Sequence, residues 1–133
     1  MKSLLFLIST VIIFSACSSK QDAQTPLKLN NGNKWEVTAE MKPHIIKGEQ
    51  LLSAYLATSG TDYNNLATKL KEENNNLIKS CNMKGPSHDE LHKWLVPHLE
   101  LINKLEEAEN NDEADTIIKV IARSYEQYNT YFN

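Results

Sequence analysis

KGPSHDELHKWLVPHLELINKL, residues 84–105, decides the fold. Gly85-Pro86 breaks any helix arriving from the N-terminal side. Ser87 with Glu90 three positions later has the spacing of a capping box, in which the hydroxyl and the carboxylate each satisfy an orphaned backbone N–H. From there Leu91, Leu95, His98, Ile102 and Leu105 recur at three- and four-residue steps, the period of one helical face. The segment predicts an amphipathic helix, kinked at Pro97 because proline removes a donor and crowds the carbonyl four residues back. His98, inside the apolar stripe, is expected to be structural. Trp94, toward the flank of the stripe, is expected to pack.

The same period extends to both sides. Downstream, a helix opening around Asn111-Asp112 carries Ala114, Ile117, Ile121, Ser124, Tyr128 and Tyr131, flanked by Ile118, Tyr125 and Phe132. Upstream, a helix beginning at Asp62 carries Tyr63, Leu66, Leu70, Leu77 and Cys81, with Ala67 and Ile78 beside them; Asn74, Asn75 and Asn76 weaken its middle through poor propensity. The first helix starts after Thr38 as N-cap, tolerates Pro43 in its first turn, carries Met41, Ile45, Gly48, Leu52 and Tyr55, and stops at Gly60. Period-two alternation is almost absent. The expectation is an all-α domain over residues 35–133, an up-down four-helix bundle with short connections.

In that topology the start of the first helix, the end of the second, the start of the third and the end of the fourth share one end. That end receives Met41 and His44, Cys81 and Met83, His88 and His92, and Tyr128 and Tyr131. Thioether, thiolate and imidazole together are the donor set that selects copper(I), whereas zinc prefers the thiolate and imidazoles. His88 and His92 are four apart, so one helical face can aim both rings at one spot. The predicted metal ligands are Cys81, Met83, His88 and His92, with Met41 or His44 completing the shell. Each has a plainer role open to it: Met41 as core filler, Met83 as a cap on the bundle, His44 and His92 as surface histidines, Cys81 as a small buried residue.

Other chemistries find less support. With 14 basic against 17 acidic side chains, no basic stripe interleaves with aromatics to hold nucleic acid. The four glycines, at 32, 48, 60 and 85, never cluster into a phosphate-cradling loop. His88 and His92 followed by His98 have the histidine spacing of the metzincin peptidase motif. Asp89 stands where that motif has Glu and Leu95 where it has Gly, so the helix would carry His98 round to another face. Cys81 with His88 or His92 is the one candidate nucleophile and base pair, in a weak context. No catalytic residue is assigned, and the chain is not expected to be an enzyme.

The N-terminus carries a separate signal. Met1 and Lys2 give a positive start, Leu4 to Phe14 form an apolar run interrupted by Ser9 and Thr10, and small residues precede Cys17. Residues 1–16 read as a signal peptide, since a spanning helix wants ~20 apolar residues. Ser15-Ala16-Cys17 resembles the lipobox of bacterial lipoproteins, with Phe14 in place of the usual leucine. The resemblance implies a diacylglyceryl group on the Cys17 sulfur, cleavage just before it, and palmitate-like chains that anchor the mature protein to a membrane of the cell envelope, on an extracytoplasmic face such as the periplasm, without spanning it. Residues 17–34 are polar with few apolar groups and are expected to be a flexible lipidated tether.

LLSAYLATSGTDYNNLATKL (51–70) and CNMKGPSHDELHKWL (81–95) resemble small helical domains of exported bacterial lipoproteins, some associated with copper or silver efflux adaptors. The resemblance implies a soft-metal role for Cys81, Met83, His88 and His92. Three functions stand side by side. One is a lipoprotein that buffers or hands over copper(I), with zinc a lesser alternative. The second is a b-type haem bundle with Met41 and His88 or His92 as axial ligands among Tyr128, Tyr131 and Trp35. The third is an envelope lipoprotein that binds a protein partner and no cofactor.

Overall fold

The computed structural model describes residues 25–133. The expected signal peptide (residues 1–16), the expected lipidation site Cys17 and residues 18–24 of the expected tether lie outside the described residues. Four helices follow one another: α1 (Lys42–Ala57), α2 (Tyr63–Lys79), α3 (Pro86–Glu106) and α4 (Asn111–Tyr131). Among the described residues there is no strand, and two isolated bridges join Asn30 to Asn33 and Trp35 to Phe132. α1 packs on α2, α2 on α3 and α3 on α4, and α4 closes more sparingly against α1. This is the expected four-helix bundle. No helix among the described residues is long and apolar enough to cross a membrane.

The helix ends explain themselves locally. α1 starts later than Thr38: the Thr38 carbonyl accepts from the N–H groups of Met41 and Lys42 in a preceding turn, and Met41 stands at the N-cap with Pro43 in the first turn. Its C-terminus is a Schellman turn, with the Gly60 N–H on the Tyr55 carbonyl and the Ser59 N–H on the Leu56 carbonyl. The left-handed residue there is Ser59, at φ 49°, and Gly60 is needed for a different reason. A Cβ at position 60 would lie 2.4 Å from the Tyr55 ring. α2 is capped as expected, the Asp62 carboxylate accepting from the Asn65 N–H.

The capping box expected at Ser87 and Glu90 does not form. Pro86 occupies the first helical position, which moves the N-cap back to Gly85, at φ 70°. Glu90, itself buried, instead accepts from the backbone N–H of Lys28 and from the Lys93 ammonium. α3 runs unbroken through Pro97. In α4 the Asn110 side chain accepts from the Glu113 N–H while the Glu113 carboxylate accepts from the Glu109 N–H.

The core is built from the predicted stripes with corrections. Met41, Ile45, Leu52, Leu66, Leu70, Leu77, Leu91, Leu95, Ile102, Leu105 and Ile121 are buried. Trp94 is also fully inside, not at a flank, and its indole N–H donates to the Ser124 carbonyl. On α4 the inward line runs through Ala114, Ile118, Ile121, Tyr125 and Tyr128 and continues in Phe132 just beyond the helix, leaving Ile117 and Tyr131 half-buried. Gly48 lets α1 approach α4: a Cβ there would stand 2.3 Å from the Tyr125 hydroxyl.

Residues 25–34, expected to belong to the flexible tether, are held on the bundle. Besides the bond from Lys28 to Glu90, the Lys28 carbonyl accepts from the Trp35 indole, Asn30 and Asn33 close a turn, and Leu27 packs at the edge of the core. Glu90, Trp35 and Leu27 supply the contacts that offset the ordering cost of this otherwise polar segment.

Candidate functional site

The bundle ends meet as the topology requires. The Asn82 amide, between α2 and α3, donates to Glu40 just before α1 at 3.4 Å. The Trp35 and Val37 N–H groups donate to the carbonyls of Tyr131 and Asn133 at the end of α4. All six predicted ligands therefore belong to elements gathered here, but their side chains point differently.

Met41 is 0 % exposed and Met83 8 %, and both thioethers pack in the core. His44 turns along the bundle to α2, its Nδ1 2.9 Å from a Glu73 carboxylate oxygen. Cys81 is a free, half-buried thiol against the core edge. His88 is half-buried and His92 exposed, and their ring centroids lie 4.3 Å apart, the juxtaposition expected of i and i+4. Among the described residues no three His, Cys, Asp or Glu side chains stand close enough to share an ion. Helix ends place Cα atoms on one level, but each Cβ follows the face its helix buries. Leu91 and Leu95 face inward, which leaves His92 outward and away from Met41.

The haem arrangement does not fit. Tyr128 stacks on Phe132 with centroids 5.3 Å apart and meets Trp94 at 4.9 Å, while Trp35 is tied to the Lys28 carbonyl. A porphyrin would have to displace these rings. Burial, with Glu36 and Glu49 adding, pushes the Tyr128 phenol up; burial, with Glu49 and Glu73 adding, does so at Tyr125. Both stay neutral hydroxyls.

His98 is structural, as its place in the stripe predicts. It is fully buried, stacked on Trp94 at 4.7 Å and edge-on to Tyr125 at 4.7 Å. Its Nδ1 lies 2.9 Å from the Ser124 hydroxyl, and its Nε2 has no partner. Burial lowers its pKa to about 4, so it is a neutral imidazole. Asn74, taken from sequence only as a weak helix former, is buried with its amide nitrogen unpartnered. Its place every third or fourth residue along Leu66, Leu70 and Leu77 was the available signal.

Sequence reasoning missed a groove of about 660 Å³ between α3 and α4. Leu27, Pro97, Leu101 and Val120 give it apolar walls, and Lys104 and Arg123 stand on it. One side is formed by Thr25, Pro26 and Leu27 of the N-terminal arm, and no periodic pattern could announce where that arm docks.

Compared with protein-family models, curated proteins and solved structures, the chain matches none. Its function is therefore read from its own residues.

Proposed function

We propose that the chain is an exported lipoprotein of the bacterial envelope, anchored through acyl chains on Cys17, whose helical domain works by binding rather than by catalysis. The carrying observation is the N-terminal arm. Residues 25–37 are bonded to the bundle through Glu90, Tyr131 and Asn133, so the polypeptide leading to the lipobox cysteine leaves at a defined place and the acyl chains would hold the bundle beside a membrane. His98 is fully buried, sealed where no substrate reaches it. Its partner is an envelope component rather than a nucleic acid, consistent with the mildly acidic charge. The test is fractionation: Cys17→Ser is expected to move the protein from the membrane fraction to the soluble fraction, and unchanged membrane retention would contradict the anchor.

A second reading is favoured by one observation, the 4.3 Å spacing of the His88 and His92 rings. Two imidazoles on one helical turn are donors suited to copper(I) and less so to zinc. Met41 and Met83 drop out of this set through their packing in the core, His44 through its bond to Glu73, and Cys81 because it does not gather with the two rings. Anaerobic titration with copper(I) is expected to show one ion per chain, lost in a His88→Asn, His92→Asn double variant. Copper binding that survives the double variant would exclude this site.

A further inference from the structure

Resting on the anchored reading, we propose that the groove between α3 and α4 binds the headgroup of an anionic phospholipid in the membrane that holds the protein. Its charge and its position point to the same ligand.

Arg123 is the chain's single arginine. Among the described residues neither it nor Lys104 has a carboxylate within ion-pair distance, whereas Lys42, Lys71 and Lys93 do. A guanidinium offers a planar fork that fits phosphate, and it is more weakly hydrated than an ammonium. Glu100 lies on the same groove and offsets part of the charge, leaving the pair to dominate where α3 and α4 face each other. Pro97, Leu101 and Val120, the last 38 % exposed, supply an apolar floor beside the cations. Cationic groups over apolar walls suit an amphiphile better than a free anion.

Position is the independent observation. Thr25, the first described residue, lies on this groove. Eight peptide links separate it from Cys17, a span of at most ~28 Å even when fully extended. An acylated Cys17 would therefore keep this face close to the lipid headgroups and raise their effective concentration there. No comparable link ties the face made by α1 and α2 to the anchor.

The test separates this proposal from the anchor. The chain from residue 17 onward with Cys17→Ser carries no acyl group and retains every core residue buried among the described residues, Val37 to Phe132. It is expected to sediment with vesicles of phosphatidylcholine and phosphatidylglycerol but not with phosphatidylcholine alone, and less so as salt rises. Arg123→Gln and Lys104→Gln should each weaken binding about fivefold, with thermal unfolding unchanged. Absence of a preference for the anionic vesicles, or a preference kept by the double variant, overturns the proposal. So does displacement by inorganic phosphate where chloride of equal ionic strength has no effect, which would assign the groove to a soluble anion. Capture of polyglutamate in place of vesicles would give it to an acidic protein and overturn it likewise. Failure of Cys17 acylation in cells leaves these vesicle results standing on their own.

Discussion

At His98 a polar side chain occupies a position that periodicity assigns to an apolar one. The ring is accommodated because Trp94 stacks on it, Tyr125 meets it edge-on and Ser124 meets Nδ1. The consequence is a pH dependence with a definite sign. The native imidazole ionises only near pH 4, having been lowered by burial, while the unfolded chain takes up that proton near pH 6.5. Below pH 6.5 the unfolded state binds more protons, so stability is full above pH 6.5 and is lost as pH falls toward 4. Urea unfolding should show a loss of about 2 kcal/mol between pH 7 and pH 5, before most carboxylates titrate, and His98→Gln should flatten it. A wild-type midpoint that does not move over that range would contradict the sealed imidazole. The role of His98 was legible because the stripe through Leu95 and Ile102 includes it. That of Asn74 was not, because three consecutive asparagines read as a weak segment when one of them faces the core.

For the elements, four helices were legible because burial of one face imposes a three- to four-residue period on leucine and isoleucine. Their ends were legible only where a side chain caps them, as Asp62 does for α2. At α3 the sequence offers two competing starts, the hydroxyl of Ser87 and the pre-set φ of Pro86, and proline at the first helical position prevails with Gly85 before it. Glu90 is then free to hold Lys28. At the end of α1 the left-handed position falls on Ser59 rather than Gly60, since the Tyr55 ring claims the space beside residue 60. A left-handed serine costs about 1 kcal/mol or more, and glycine's greater unfolded-state freedom cancels part of the gain. Ser59→Gly is therefore expected to stabilise the protein by roughly 0.5 kcal/mol, read as a rise in the urea midpoint. A fall would mean that the Ser59 side chain contributes contacts of its own.

Across the whole molecule, topology fixes which ends of helices meet but not where their side chains point. That is why the bundle was predicted correctly while its six soft donors divide. Two pack inward, His44 bonds to Glu73, Cys81 stays half-buried at the core edge, and His88 and His92 remain as a pair on α3. The groove beside Arg123 depends on the opposite kind of information, the docking of residues 25–28 through Glu90, a contact between positions 62 apart in the chain. On the anchored reading both surfaces acquire their meaning from Cys17, because a domain tied within ~28 Å of a bilayer would meet lipid and envelope partners before anything else. The most direct measurement is the mass of the N-terminal peptide of the protein isolated from bacterial membranes. The expected peptide begins at Cys17 and carries a diacylglyceryl group with its acyl chains. A peptide that begins at Met1, or at any residue other than Cys17 and without lipid, would contradict the anchored reading.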